Sequence, residues 1–205
     1  YPRRAENAIS YTSPNFSGFK FGGEYAFGEQ QKASDSRYIG VSATYDNGPL
    51  SLGLGFDRID GNTNNGTDFT IDQTSWQLGG GYNFGVARLL GFYKESKFKD
   101  DGVGAAGDST KFKTFGLGVT APVGAAGEVR ASYNNYKISD DNGKADQLSL
   151  GYVHNLSKRT ALYGTYAYIK NKDGLDFELN GAMGGAGLKD GEKQHGLQLG
   201  IRHAF

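Results

Sequence analysis

The residues able to do chemistry in this chain are few and scattered. His154, His195 and His203 stand singly, with no second histidine four residues away and no carboxylate at ligand spacing, so they offer no metal site. Asp140-Asp141-Asn142-Gly143 begins like a calcium loop but lacks the downstream glutamate, which leaves a hairpin connection. Gly79-Gly80-Gly81 and Gly184-Gly185 open no helix and so cradle no phosphate. Asn15-Phe16-Ser17, Asn65-Gly66-Thr67 and Asn155-Leu156-Ser157 match a glycosylation acceptor pattern that is frequent by chance. No activated nucleophile is visible, and the expectation is no catalytic residue, no metal and no cofactor. What remains is charge on the polar parity of strand-like runs: Lys20, Glu24, Asp57, Arg88, Lys94, Glu128, Arg130, Arg159 and Arg202. Such residues set a field rather than react.

The runs that carry these charges alternate strictly. In the last of them Leu197, Leu199, Ile201, His203 and Phe205 fall on one face, and Gln194, Gly196, Gln198, Gly200 and Arg202 on the other. Phe19, Phe21, Gly23 and Tyr25 oppose Lys20, Gly22 and Glu24, and Leu50, Leu52, Leu54 and Phe56 oppose Ser51, Gly53, Gly55 and Asp57. Between Arg88 and Lys94 the phase is ambiguous, and the set Leu89, Gly91 and Tyr93 is preferred for the apolar face because it leaves both cations on the polar side. A soluble sheet would cover its oily face with a core, whereas a membrane barrel turns that face to lipid.

Composition narrows the classes. Lys+Arg 22 balances Asp+Glu 22, so no charge excess points to nucleic acid. The 33 glycines alternate with Tyr, Phe, Leu and Val inside strand-like runs, which argues for strands rather than low complexity. Mean hydropathy is −0.54 and no run approaches the roughly 18 apolar residues of a membrane helix. Tyr1-Pro2-Arg3-Arg4 lacks the apolar region of a signal peptide, so a mature or cut sequence is expected.

Eleven strands are predicted, most of roughly 9 to 12 residues, enough to cross a bilayer at a tilt. Their connections sort by parity. Those near Pro14, Asn47, Gly85, Val123 and Leu156 are tight, including a first turn at Ser13-Pro14-Asn15, while those near Lys32, Gly66, Val103, Asn142 and Gly181 are mostly longer and more polar. The longer ones include Ile59 to about Asp72 and Lys170 to Lys193. Short turns on one side and long loops on the other are the habit of outer-membrane barrels. Phe16, Phe19, Tyr45, Tyr82, Phe84 and Phe205 sit near the tight-turn ends, and Tyr25, Phe27, Phe56, Trp76 and Tyr168 toward the loop ends, forming two aromatic girdles.

Three stretches carry a family resemblance. They are Arg4-Ala5-Glu6-Asn7-Ala8-Ile9-Ser10-Tyr11-Thr12-Ser13-Pro14-Asn15-Phe16-Ser17-Gly18-Phe19, Asn155-Leu156-Ser157-Lys158-Arg159-Thr160-Ala161-Leu162-Tyr163, and Gly200-Ile201-Arg202-His203-Ala204-Phe205. Together the chain resembles a Gram-negative general diffusion porin of the β-proteobacterial type over nearly its whole length. The resemblance implies an all-β fold, an antiparallel transmembrane β-barrel that is part of a sixteen-stranded outer-membrane porin barrel and assembles as a homotrimer. It also implies that Tyr1 to Arg4 end a loop folded into the pore, and that residues 1–205 are one barrel domain lacking its amino-terminal strands. An eleven-stranded sheet could close only through a parallel pair, which supports the same expectation.

The expected function is therefore passive diffusion of small hydrophilic solutes and ions through a water-filled lumen. The charged residues of polar parity would line it, with Arg3, Arg4 and Glu6 near the inserted loop, and the excess of positive charge predicts mild anion selectivity. Arg37, Arg58, Lys111 and Lys113 lie on the lipid parity at loop ends and are expected to contact lipopolysaccharide. Leu197, Leu199, Ile201, His203 and Phe205 resemble the signal read by the outer-membrane barrel assembly machinery. An outer-membrane barrel enzyme of lipase or protease type and a soluble carbohydrate-binding β-sandwich stay open as alternatives.

Overall fold

A computed structural model describes residues 7–28, 37–63, 70–100, 109–139, 143–173, 175, 177–179 and 192–204. Among them are eleven strands and no helix: β1 (Ala8–Thr12), β2 (Phe19–Ala26), β3 (Arg37–Asn47), β4 (Leu50–Thr63), β5 (Thr70–Asn83), β6 (Arg88–Asp100), β7 (Ser109–Val123), β8 (Gly127–Ile138), β9 (Lys144–Asn155), β10 (Thr160–Lys172) and β11 (Lys193–His203). They form one sheet in chain order. Arg3, Arg4, Glu6 and Phe205 lie outside the described residues. Contacts group the chain into two compact units, one of residues 1–80 and 93–113, the other of residues 81–92 and 114–205.

In the first unit β2 pairs antiparallel with β1 and with β3, so that Ser10, Glu24, Gly40 and Asp57 run across β1 to β4 on one face. The reversal between β1 and β2 is not at Ser13-Pro14-Asn15. Ser13 continues the pairing, its N–H donating to the Phe21 carbonyl and its Oγ accepting from the Phe21 N–H. The chain then turns at Ser17 and Gly18, both with positive φ, while Phe16 and Phe19 bond each other. That two-residue geometry matches the twist of the flanking strands, which a turn built on Pro14 would not. The tight connection expected around Asp46-Asn47-Gly48-Pro49 is present, the chain turning at Gly48 and Pro49 with Asn47 opposite Leu50.

The loops are shorter than their composition suggests. The stretch from Ile59 to Asp72 is mostly strand, leaving only 64–69 between β4 and β5, and β6 runs through Phe98 to Asp100. Polar sequence marks where the apolar band ends, but the backbone ladder goes on wherever side chains can bond one another across it. Here the Gly61 N–H donates to Asp72 Oδ1 at 2.9 Å, and Phe98 meets Phe112 edge-on at 5.4 Å.

In the second unit β9 pairs with β8 and β10, and β10 with β11, each antiparallel. The tight connection after β5 closes through Phe84 N–H to the Ala87 carbonyl, with Gly85 at positive φ. That between β9 and β10 closes from Leu156 and Ser157 onto the Thr160 carbonyl.

Burial is inverted relative to a water-soluble protein. The exposed large hydrophobics include Ile9 and Tyr11 of β1, Leu52, Leu54 and Phe56 of β4, Leu148 and Leu150 of β9, and Leu197, Leu199 and Ile201 of β11. Within each of these strands they have one parity. An apolar surface repeated from strand to strand in this way cannot face water stably and is what a hydrocarbon environment requires.

Candidate functional site

By strand parity the face opposite the apolar one holds Lys20, Glu24, Asp57, Arg88, Lys94, Glu128, Arg130 and Arg202. The pairing places Lys20 against Thr44 and Glu24 against Gly40, and Asp57 on the same side. Within the first unit this face opens into a polar cavity of about 260 Å³ lined by Glu24, Tyr38, Ser42, Asp57 and Gln77. Deeper on it Ser96 Oγ donates to Ser75 Oγ at 3.0 Å and Gln73 Nε2 to the same oxygen at 3.1 Å, all three residues buried.

In the second unit Arg88, Glu128, Arg130 and Arg202 share the polar face. Arg130 Nε donates to Glu128 Oε1 at 2.6 Å. Arg159 lies in the turn between β9 and β10 rather than on a strand, its carbonyl accepting from the Ala204 N–H. The phase preferred for β6 is the one observed. The Tyr93 ring meets that of Trp76 at a tilt, 5.1 Å between centroids, and a Cβ at Gly91 would meet Leu117, both apolar-face residues. Leu90 and Phe92 therefore sit on the polar face with Arg88, Phe92 leaning over Gly116.

Sequence reasoning missed a strap on this polar face. Leu175, Phe177 and Leu179, expected in a loop, pack with Tyr136, Ile138, Ala145 and Ile169, which have polar parity in their strands. Asn171 bonds both backbone groups of Phe177, and the Leu179 N–H donates to Gln194 Oε1 at 2.7 Å. The alternation Leu175-x-Phe177-x-Leu179, next to apolar residues in the wrong phase at Tyr136 and Ile138, was the available signal.

At the loop ends of the apolar face Arg37, Arg58, Lys113 and Lys172 are paired with acids. Arg37 and Arg58 both donate to Asp60, and Arg58 reaches Asp72 at 3.6 Å. Lys113 lies 3.7 Å from Glu95. Lys172 Nζ, Tyr133 Oη and Asn135 Nδ2 converge on Asp146 at 2.9, 2.6 and 2.8 Å. Charge is balanced locally along this rim, because Arg37, Arg58 and Lys113 each have an acid two residues along or on the next strand.

Aromatic pairs lie at both ends, Phe19 with Tyr45 and Tyr82 with Phe84 near the tight turns, and Tyr25 with Phe27 near the loops. The three histidines each bond a hydroxyl: His154 that of Tyr152, His203 that of Thr160, and His195 that of Tyr166. Among the described residues no group of three or more His, Cys, Asp or Glu could hold a metal ion.

A family model for Gram-negative porins matches residues 1–174. The chain belongs to the Gram-negative porin family. The chain is 47% identical over 208 residues to the outer membrane porin protein 32 of Delftia acidovorans, covering 98% of this chain and 57% of that protein. Against an outer membrane porin protein of Bordetella pertussis identity is 30%, over 98% of this chain and 58% of the relative. A solved anion-selective porin from Comamonas acidovorans superposes with a TM-score of 0.89 at 46% identity, covering 98% of this chain and 60% of that one. This porin thus spans a little over half the length of the curated relatives it matches. Its fold class is the antiparallel transmembrane β-barrel of outer-membrane porins, and its place is the bacterial outer membrane. A soluble sandwich is not supported.

Proposed function

We propose that this porin lines a water-filled channel through which small hydrophilic solutes and ions diffuse passively, with a mild preference for anions and without catalytic chemistry. The observation that carries the reading is the two-faced sheet, apolar on one side and polar on the side of Lys20, Glu24, Asp57, Arg88, Lys94, Glu128, Arg130 and Arg202, with Arg159 at the turn edge. Arg3, Arg4 and Glu6 belong to the same proposal. Six of those nine described charges are positive and three negative, which lowers the electrostatic cost for an anion in the lumen. The anion-selective character stated for the Comamonas acidovorans porin supports the same sign.

Assembly as a homotrimer, delivery by the barrel assembly machinery through Leu197, Leu199, Ile201, His203 and Phe205, and lipopolysaccharide contact at Arg37, Arg58, Lys111 and Lys113 complete the proposal. A guanidinium has five N–H donors, so Arg37 and Arg58 can hold Asp60 and still offer donors to a lipid phosphate. The test is the reversal potential of the complete barrel in a planar bilayer under a salt gradient. A potential of anionic sign is expected. A cation preference overturns the selectivity, and absence of any conductance overturns the channel.

A further inference from the structure

We infer that the polar face of β8 to β11 carries a binding notch for a small oxyanion, phosphate or a short carboxylate, between Arg130 and Arg202 near the tight-turn end. The inference rests on the channel reading and adds to it a defined stopping place. A cavity of about 150 Å³ lies there, lined by Arg130, Tyr163, Thr165 and Arg202 above Gly151. At about 30 Å³ for one water it has room for a hydrated phosphate-sized ion.

The register explains why the notch exists. Arg130 stands opposite Gly151, Gly151 opposite Thr165, and Tyr163 opposite Gly200, two residues before Arg202 on β11. A Cβ at Gly200 would overlap both Cζ and Oη of Tyr163, so the phenol lies across the bare backbone with its hydroxyl beside β11 on the face of Arg202. A Cβ at Gly151 would meet Thr165 Oγ1 at 3.4 Å and Arg130 Cβ at 3.8 Å. Gly151 thus opens the floor, the bare backbone of Gly200 lets Tyr163 lie flat beside it, and Arg130, Arg202, Tyr163 and Thr165 stand around the space.

The charge is unbalanced in the direction an anion needs. Arg130 shares the carboxylate of Glu128, whereas Arg202 has no acidic partner among the described residues. Two positive charges against one negative leave the notch with an excess of one positive charge. Planar guanidinium forks with hydroxyl donors suit an oxyanion better than a spherical halide, because each oxygen can take its own directed hydrogen bond. Partial enclosure strengthens the attraction relative to open water.

The test is binding of inorganic phosphate to the complete barrel in detergent, by calorimetry, alongside phosphate block of chloride current in a bilayer. Saturable binding is expected, weakened about tenfold or more by Arg202→Gln. Tyr163→Phe, which keeps the ring over Gly200, is expected to weaken it about threefold. Lys137→Gln removes the same charge from β8 elsewhere and leaves binding unchanged. Conduction without phosphate binding, or binding indifferent to Arg202→Gln, overturns the notch. Arg202-sensitive binding without conduction supports the notch and overturns the channel reading instead.

Discussion

Asn171 and Phe177 hydrogen-bond twice, the side-chain Nδ2 donating to the Phe177 carbonyl at 2.9 Å and the Phe177 N–H donating to Oδ1 at 3.1 Å. One buried carboxamide thus does for the strap what a neighbouring strand does for a strand. It satisfies both backbone groups of a residue whose ring packs edge-on against Tyr136 at 5.5 Å. The strap is held over the polar face by this pair, the apolar cluster and the bond from Leu179 to Gln194.

Replacing Asn171 by Leu leaves the Phe177 N–H and carbonyl unpaired, at about 1–3 kcal/mol for each group. The expected outcome is faster proteolytic cleavage between residues 173 and 192 with the heat stability of the barrel nearly unchanged. Cleavage at the wild-type rate would show that the apolar cluster holds the strap alone.

Gly18 has φ of +99°, and a Cβ there would overlap the Asp46 carbonyl oxygen. Gly18→Ala is therefore expected to destabilise the barrel by about 1–3 kcal/mol, read as a lower melting temperature. Gly53→Ala, where nothing lies within 4 Å of the added carbon and φ is ordinary, serves as the comparison and costs much less.

The loop-end rim gives a third expectation. Reversing the charge of Arg37, Arg58, Lys111 and Lys113 together turns the paired rim acidic and is expected to lower lipopolysaccharide retention during purification. Asp60→Asn alone releases Arg37 and leaves Arg58 only its longer pair with Asp72, and it is expected to raise retention. Retention unaffected by either change counts against the contact.

The closing strand gives a fourth. Leu197, Leu199 and Ile201 are 52%, 67% and 64% exposed, an apolar row available to another sheet before insertion and to lipid afterwards. Deleting Phe205 is expected to slow assembly sharply while changing the stability of the finished barrel little. Assembly at the normal rate without it defeats the signal.

Period-two alternation by itself determines most of the fold. The apolar parity of Leu52, Leu54 and Phe56, or of Leu197, Leu199 and Ile201, is a local property of each strand, because successive side chains leave opposite faces whatever the partner. The same holds for the polar parity of Lys20, Glu24, Arg130 and Arg202, and for the turn at Gly48-Pro49. Tertiary structure decided what depends on residues distant in sequence. That Arg37 meets Asp60 and Lys172 meets Asp146 follows from strand register, which no single strand encodes. That Tyr163 lies over Gly200 beside Arg202 requires β10 and β11 to be aligned across residues 173–192. The strap's alternation was visible in the sequence, but its place was not, for the same reason. Leu175 and Phe177 pack as they do only because Ala145, Ile169 and Tyr136 come together beneath them, and hydrophobic burial is a property of the assembled surface rather than of the segment that covers it.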